Sequence, residues 1–176
     1  ASDVYKRQTM ALYAVESFGA SDTVGGFASS AFVLGATCMR VFSGWIVDRV
    51  GHKKAALASL AFVTLVAVAY FFAHNVAVLI IVRMVHGAAY ALTSTALMAV
   101  AQSVIPHERR AEGTGYFALG TTLATAFGPA IGLLLANNIG YTTLFAVALG
   151  ANIVSLILAL VLRYPAEVSS EKPAFS

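Results

Sequence analysis

The stretch Ala55-Ala-Leu-Ala-Ser-Leu-Ala-Phe-Val-Thr-Leu-Val-Ala-Val-Ala-Tyr-Phe-Phe-Ala73 decides the fold. It holds no charged residue and has the length, about 20 residues, at which a helix crosses the hydrocarbon core of a bilayer. A soluble helix of that length would carry a charged face, and this one carries none. Four further apolar runs of crossing length surround it, at Val24 to Ile46, Val76 to Ile105, Gly113 to Ala136 and Thr142 to Leu162. The pattern predicts an all-α, polytopic transmembrane helical bundle with five complete spans. Composition points the same way. Of 176 residues, 59% are hydrophobic and 11% charged, against about a quarter charged in soluble domains.

Several function classes are excluded at this level. The formal charge of +3 sits in short clusters between apolar runs, with no basic stripe or stacking platform for nucleic acid. Cys38 is the single cysteine and lies inside an apolar run, which rules out a disulfide framework or a cysteine metal site. No nucleophile motif or metal-ligand spacing is present, so no catalytic residue, metal or cofactor is expected.

Lys and Arg are one-sided. Arg40, Arg49, Lys53 and Lys54 surround the connection after the first full span, Arg109 and Arg110 lie in the next connection on that side, and Arg163 and Lys172 lie in the tail. The opposite connections, through Glu16 and Asp22, His74 and Asn75, and Asn137 and Asn138, hold neither residue type. The positive-inside rule then makes residues 47–54 and the tail cytoplasmic.

Upstream, Thr9 to Val15 is apolar but far too short to span, and reads as the last turns of a truncated helix. Continuing it through Lys6 and Arg7 would put two cations about 15 Å below its outer end. Residues 1–8 are therefore expected to be a non-native leader, with an amphipathic amino-terminal segment as the alternative. Residues 9–164 form the bundle. Residues 165–176, with Pro165, Glu167, Ser169, Ser170, Glu171, Lys172 and Pro173, have a linker's composition.

Three motifs interrupt the apolar background. Gly44-Trp-Ile-Val-Asp48-Arg49-Val-Gly51-His52-Lys53-Lys54 stands between the first two full spans. There Gly44 allows close approach of a neighbouring helix, Gly51 allows the positive φ of a tight reversal, and Lys53 and Lys54 hold the connection in the cytoplasm. Asp48, acidic within a basic connection, can pair with cations or cap a helix. A plain basic turn is the alternative. In Arg83-Met-Val-His86-Gly87, Arg83 lies about 10 Å inside the membrane, where a guanidinium must be paired or wetted. His86 shares its face at i+3. The pair can look into a cavity, to meet an anionic substrate or take part in proton coupling. The alternative is an Arg83 that snorkels outward and a His86 satisfied within the bundle. In Ala124-Thr-Ala-Phe-Gly128-Pro129-Ala-Ile-Gly132-Leu133, Pro129 removes a backbone donor and bends the helix. Gly120, Ala124, Gly128, Gly132 and Ala136 recur every fourth residue as a stripe that lets another helix lie close.

Together the three motifs resemble the signatures of the major facilitator superfamily, in the order that an amino-terminal six-helix half would carry them. The first resembles its G-x-x-x-D-R-x-G-R-R/K loop, with His52 at an arginine position. The second resembles R-x-x-Q-G, with His86 for glutamine. The third resembles the antiporter pattern G-x-x-x-G-P-x-x-G-G, with Ala124 and Leu133 at glycine positions. Pro106 to Gly113 looks like the family's loop between helices four and five. The resemblance implies a multi-pass protein of the cell (inner or plasma) membrane, in contact with the lipid bilayer. It also implies a latch at the first motif and alternating access with a carboxy-terminal six-helix half that this chain lacks. The third motif resembles that of drug/proton antiporter-type members, which implies proton-coupled efflux of a small molecule. Uptake of a sugar or metabolite is the alternative within the family, and a six-helix assembly protein that moves nothing is the alternative outside it. A faint internal repeat accompanies the motifs: Asp48-Arg-Val-Gly51-His follows one span, and Asn137-Asn-Ile-Gly140-Tyr follows the span three later. Tyr13, Ser30, Phe117 and Asn152 could face a cavity, or simply pack.

Overall fold

The computed structural model describes residues 21–161. The expectations for the leader, the truncated helix, Tyr13 and the linker lie outside the described residues. Five α-helices follow one another: α1 Asp22–Val50, α2 His52–Ala69, α3 Val76–Val104, α4 Arg110–Asn138 and α5 Tyr141–Val161. A single 3-10 turn, Tyr70–Phe72, extends α2, and another, His107–Arg109, precedes α4. All five are long and apolar enough to cross a membrane. Such helices satisfy their own backbone groups, which a segment in lipid must do.

The helix ends lie where the polar residues put them. Ser21 caps α1, accepting from the Val24 amide at 3.4 Å, and Asn75 caps α3 through Oδ1, accepting from the Val78 amide at 2.9 Å. The His74-Asn75 break is therefore a capped helix start. At the other end, helix outlasts the apolar run. Asp48 and Arg49 belong to the last turn of α1, and Lys53 and Lys54 to the first turn of α2, so the first motif is not a loop. Charged residues there remain helical because a helix projecting beyond the hydrocarbon still makes its own hydrogen bonds.

The whole reversal between α1 and α2 is Gly51, at φ 92° and ψ 142°. Its amide donates to the Val47 carbonyl at 3.0 Å, and its carbonyl accepts from the Ala55 amide at 2.9 Å. No side-chain-bearing residue adopts this backbone without strain, so Gly51→Ala is expected to cost about 1–3 kcal/mol. A lower melting temperature of the purified full-length protein would show it. Gly140, at φ 105°, makes the matching reversal before α5, its amide donating to the Leu135 carbonyl at 3.0 Å. The two glycines of the sequence repeat are the described residues with positive φ.

With every connection short, successive helices run in alternating directions, so α1 and α3 run the same way. They form the most extensive seam of the bundle. Its residues are small or backbone: Ala28, Ala31, Gly35, Ala36 and Ser43 of α1 are buried, as are Gly87, Ala89 and Ala91 of α3. Between helices in lipid, close backbone approach and hydrogen bonding replace the hydrophobic effect as the source of association. A Cβ on Gly35 would overlap the Met84 carbonyl, and one on Gly87 would overlap the Phe32 carbonyl. Further along, the Ser43 and Thr95 hydroxyls meet at 3.1 Å. Two core clusters complete the packing. Ala28, Tyr70, Ala73, Leu79 and Phe145 pack near the Asn75 end, and Val47, Ala55, Ala56 and Ala96 near the Gly51 end. The outward surface is apolar, with Val41, Trp45, Leu65 and Val161 more than half exposed, as a lipid-facing surface requires.

Two close-approach expectations change. Gly44 is exposed, with no described atom near the position of a Cβ, and the same holds for Gly120 and Gly128. Ala124 is exposed too, and only the Ala136 end of that stripe is buried. Among the described residues the tight crossing is built by Gly35 and Gly87 instead.

Candidate functional site

Near the Asn75 end the five helices all contribute to a partly open cavity of about 340 Å³. Phe32 of α1 and Ala67 and Tyr70 of the second span form one part of its wall, and Arg83 and His86 of α3 supply the charge and the imidazole. Gly128 and Gly132 of α4 and Phe145 and Asn152 of α5 line the remainder. The i, i+3 spacing of Arg83 and His86 puts both on one face, and that face looks inward.

Arg83 does not snorkel to a surface. Its Nε donates to the Ala28 carbonyl at 2.9 Å and its Nη2 to the Ser29 carbonyl at 3.2 Å, while the guanidinium lies 5.3 Å from the Phe32 ring centre. Backbone carbonyls of a neighbouring helix and a π face thus stand where a carboxylate would otherwise be needed. Among the described residues no carboxylate pairs with it, and the recorded ion pair, Arg109 to Glu112 at 3.4 Å, is far off at the start of α4.

His86 Nδ1 and the Tyr70 hydroxyl are 3.0 Å apart, and either can donate according to the imidazole tautomer. Phe32 meets the same imidazole edge-on at 5.6 Å, and Tyr70 stacks on Phe145 at 5.4 Å. An aromatic chain therefore runs from α1 through α3 and α2 to α5. The sequence reading missed Tyr70, Phe32 and Phe145, because aromatic residues in apolar spans give no signal of which way they point. Tyr70→Phe is expected to lower stability by about 1 kcal/mol, the net value of one hydrogen bond, whereas Tyr70→Ala should cost about 3–5 kcal/mol. Melting curves of the two variants would separate the hydroxyl from the ring.

The other expected residues are distributed as follows. Asn152 lines the cavity and its amide donates to the Ala148 carbonyl at 3.1 Å, while Ser30 is exposed and donates to the Gly26 carbonyl at 3.0 Å. Phe117 is half-buried and lies away from the cavity lining. Pro129 lies within an α4 that continues through it. Gly128 and Gly132 open the wall of the cavity, where a side chain would fill it. At the Gly51 end, Asp48, Arg49, Lys53 and Lys54 are exposed, and Arg49 lies over the Trp45 ring at 5.3 Å. The structure brings Arg83 and His86 together with the glycines of α4, and leaves the first motif at the far end of α1.

Residues 8–176 match the Major Facilitator Superfamily. The uncharacterized protein Rv2265 of Mycobacterium tuberculosis is 35% identical over 124 residues, 70% of this chain and 29% of that protein. The staphylopine export protein of Staphylococcus aureus is 31% identical over 133 residues, 74% of this chain and 32% of that protein. The tetracenomycin C resistance and export protein of Streptomyces glaucescens is 22% identical over 147 residues, 84% of this chain and 27% of that protein. The chain spans about a third or less of the length of these relatives.

Proposed function

The chain belongs to the Major Facilitator Superfamily, and from that premise we propose that it forms one wall of a secondary transporter that exports a small solute in exchange for protons. The observation that carries the reading is the cavity in which all five described helices meet around Arg83 and His86. A charged side chain at membrane depth marks a solute or ion pathway by default. The names of two relatives, which state export, favour the outward direction. In this reading the Gly51 end is cytoplasmic, the first motif is the latch of that face, and a second six-helix half supplies the opposite wall.

Reconstitution of the full-length protein in inverted vesicles tests it. An imposed proton gradient should drive accumulation of at least one solute from a panel of acids, amides, amines and sugars. The absence of gradient-driven flux for the whole panel would remove the transport reading, and flux only in the uptake direction would remove export. Orientation is tested separately in a cysteine-free background that includes Cys38→Ser. His74→Cys should react with an impermeant maleimide in intact cells, and Lys53→Cys only after permeabilisation. The reverse pattern would invert the topology.

A further inference from the structure

We infer that the cavity takes an amphipathic organic anion: a small molecule with an apolar, preferably aromatic, body and a carboxylate that docks on Arg83. The inference rests on the transport reading for how the ligand moves, and on the cavity alone for what binds.

The charge comes first. A guanidinium has five N–H donors and cannot be deprotonated in a protein. Two of the five go to the Ala28 and Ser29 carbonyls, and the Tyr70 hydroxyl also lies within hydrogen-bonding reach of the guanidinium. Arg83 itself lines the cavity, so its guanidinium is within reach of a molecule bound there. Among the described side chains, the carboxylates of Asp48, Glu108 and Glu112 lie at the Gly51 end, about 24 Å or more along the helices from the cavity lining. A cation entering here would meet the like charge of Arg83, and a neutral ligand would offer the guanidinium no ionic partner. A carboxylate matches both the charge and the planar fork of donors.

The body follows from the walls. Phe32, Tyr70 and Phe145 supply aromatic surface, and Gly128 and Gly132 expose α4 backbone against which a flat molecule can lie. His86 is already held by Tyr70, so Arg83 is the cavity's charged anchor. A volume of about 340 Å³ suits a ligand at the small end of the usual range for such sites.

The test is direct binding to the purified full-length protein by titration calorimetry, with 1-naphthoate, 1-naphthamide and 1-naphthylmethylamine as probes. These share a body and differ in charge. The acid should bind at least about tenfold more tightly than the amide, one charge-assisted hydrogen bond's worth, and the amine should bind least. Arg83→Gln, its fold checked by size-exclusion chromatography, should abolish the acid's advantage over the amide. Equal or tighter binding of the amide or amine to the unaltered protein overturns the inference, as does failure of all three to bind. That comparison holds even if the variant does not fold. Retention of the acid's preference in Arg83→Gln removes Arg83 as the anchor. Naphthoate binding without proton-driven flux would instead overturn the transport reading and leave this one standing.

Discussion

Gly87→Ala is expected to lower the melting temperature of the full-length protein substantially, by the equivalent of about 1–3 kcal/mol for one added methyl, and Gly35→Ala should match it. The added Cβ at position 87 would overlap the Phe32 carbonyl oxygen and lie 2.8 Å from its carbon; at position 35 it would do the same to Met84. Both obstacles are backbone, so no side-chain rotation relieves them. The helices must separate, and separation forfeits the close packing that holds helices together in lipid. Gly26→Ala and Gly44→Ala are the controls, since an added Cβ there meets no described atom. They should be neutral or slightly stabilising through helix propensity. Equal destabilisation by Gly44→Ala would mean that the close approach first inferred at the Gly44 motif exists after all, with a partner outside the described residues. Gly87→Leu should leave no folded protein by size-exclusion chromatography.

Under the proposed transport reading, Arg83→Lys is expected to reduce gradient-driven flux by on the order of 10- to 100-fold while keeping the charge. The guanidinium makes two hydrogen bonds in different directions, to Ala28 and Ser29, and lies against Phe32. An ammonium on a flexible stem cannot reproduce that fork or that stacking. Bonds to charged groups contribute about 1.5–3 kcal/mol each, and about 1.4 kcal/mol is tenfold in an equilibrium. Melting temperature and flux, measured together, divide the possible roles. Flux lost with the melting temperature held within a few degrees assigns Arg83 to solute or proton handling. Flux and melting temperature lost together assign it to the α1–α3 seam. Wild-type flux would show that charge alone suffices and would remove the guanidinium geometry from the mechanism.

Much of this protein is written in its local sequence. Five spans follow from apolar length, and their limits were off where polar residues, among them Asp22, Asp48 and Arg49, His52 to Lys54, Arg110 to Glu112, and Asn137 and Asn138, extend helices past the apolar runs. Gly51 was legible because a positive φ is a property of one residue and its neighbours, whereas Gly140 was marked only as its counterpart in the repeat. Arg83 stood out because a cation inside a span is rare.

The sequence by itself therefore determined the class, the spans, the Gly51 reversal and the charge inside a span, since each depends on a short window and on the solvent around it. Only the tertiary structure decided what each small or aromatic residue faces. Gly44, Gly87 and Gly128 look alike as letters, yet the first meets nothing described, the second meets the Phe32 backbone and the third borders the cavity. Tyr70 and Phe145 resemble any other aromatic residue in an apolar run until α2 and α5 stack them beside His86. In lipid the outside of the bundle is as apolar as its inside, so hydrophobic periodicity does not mark the buried face, and interhelical geometry has to.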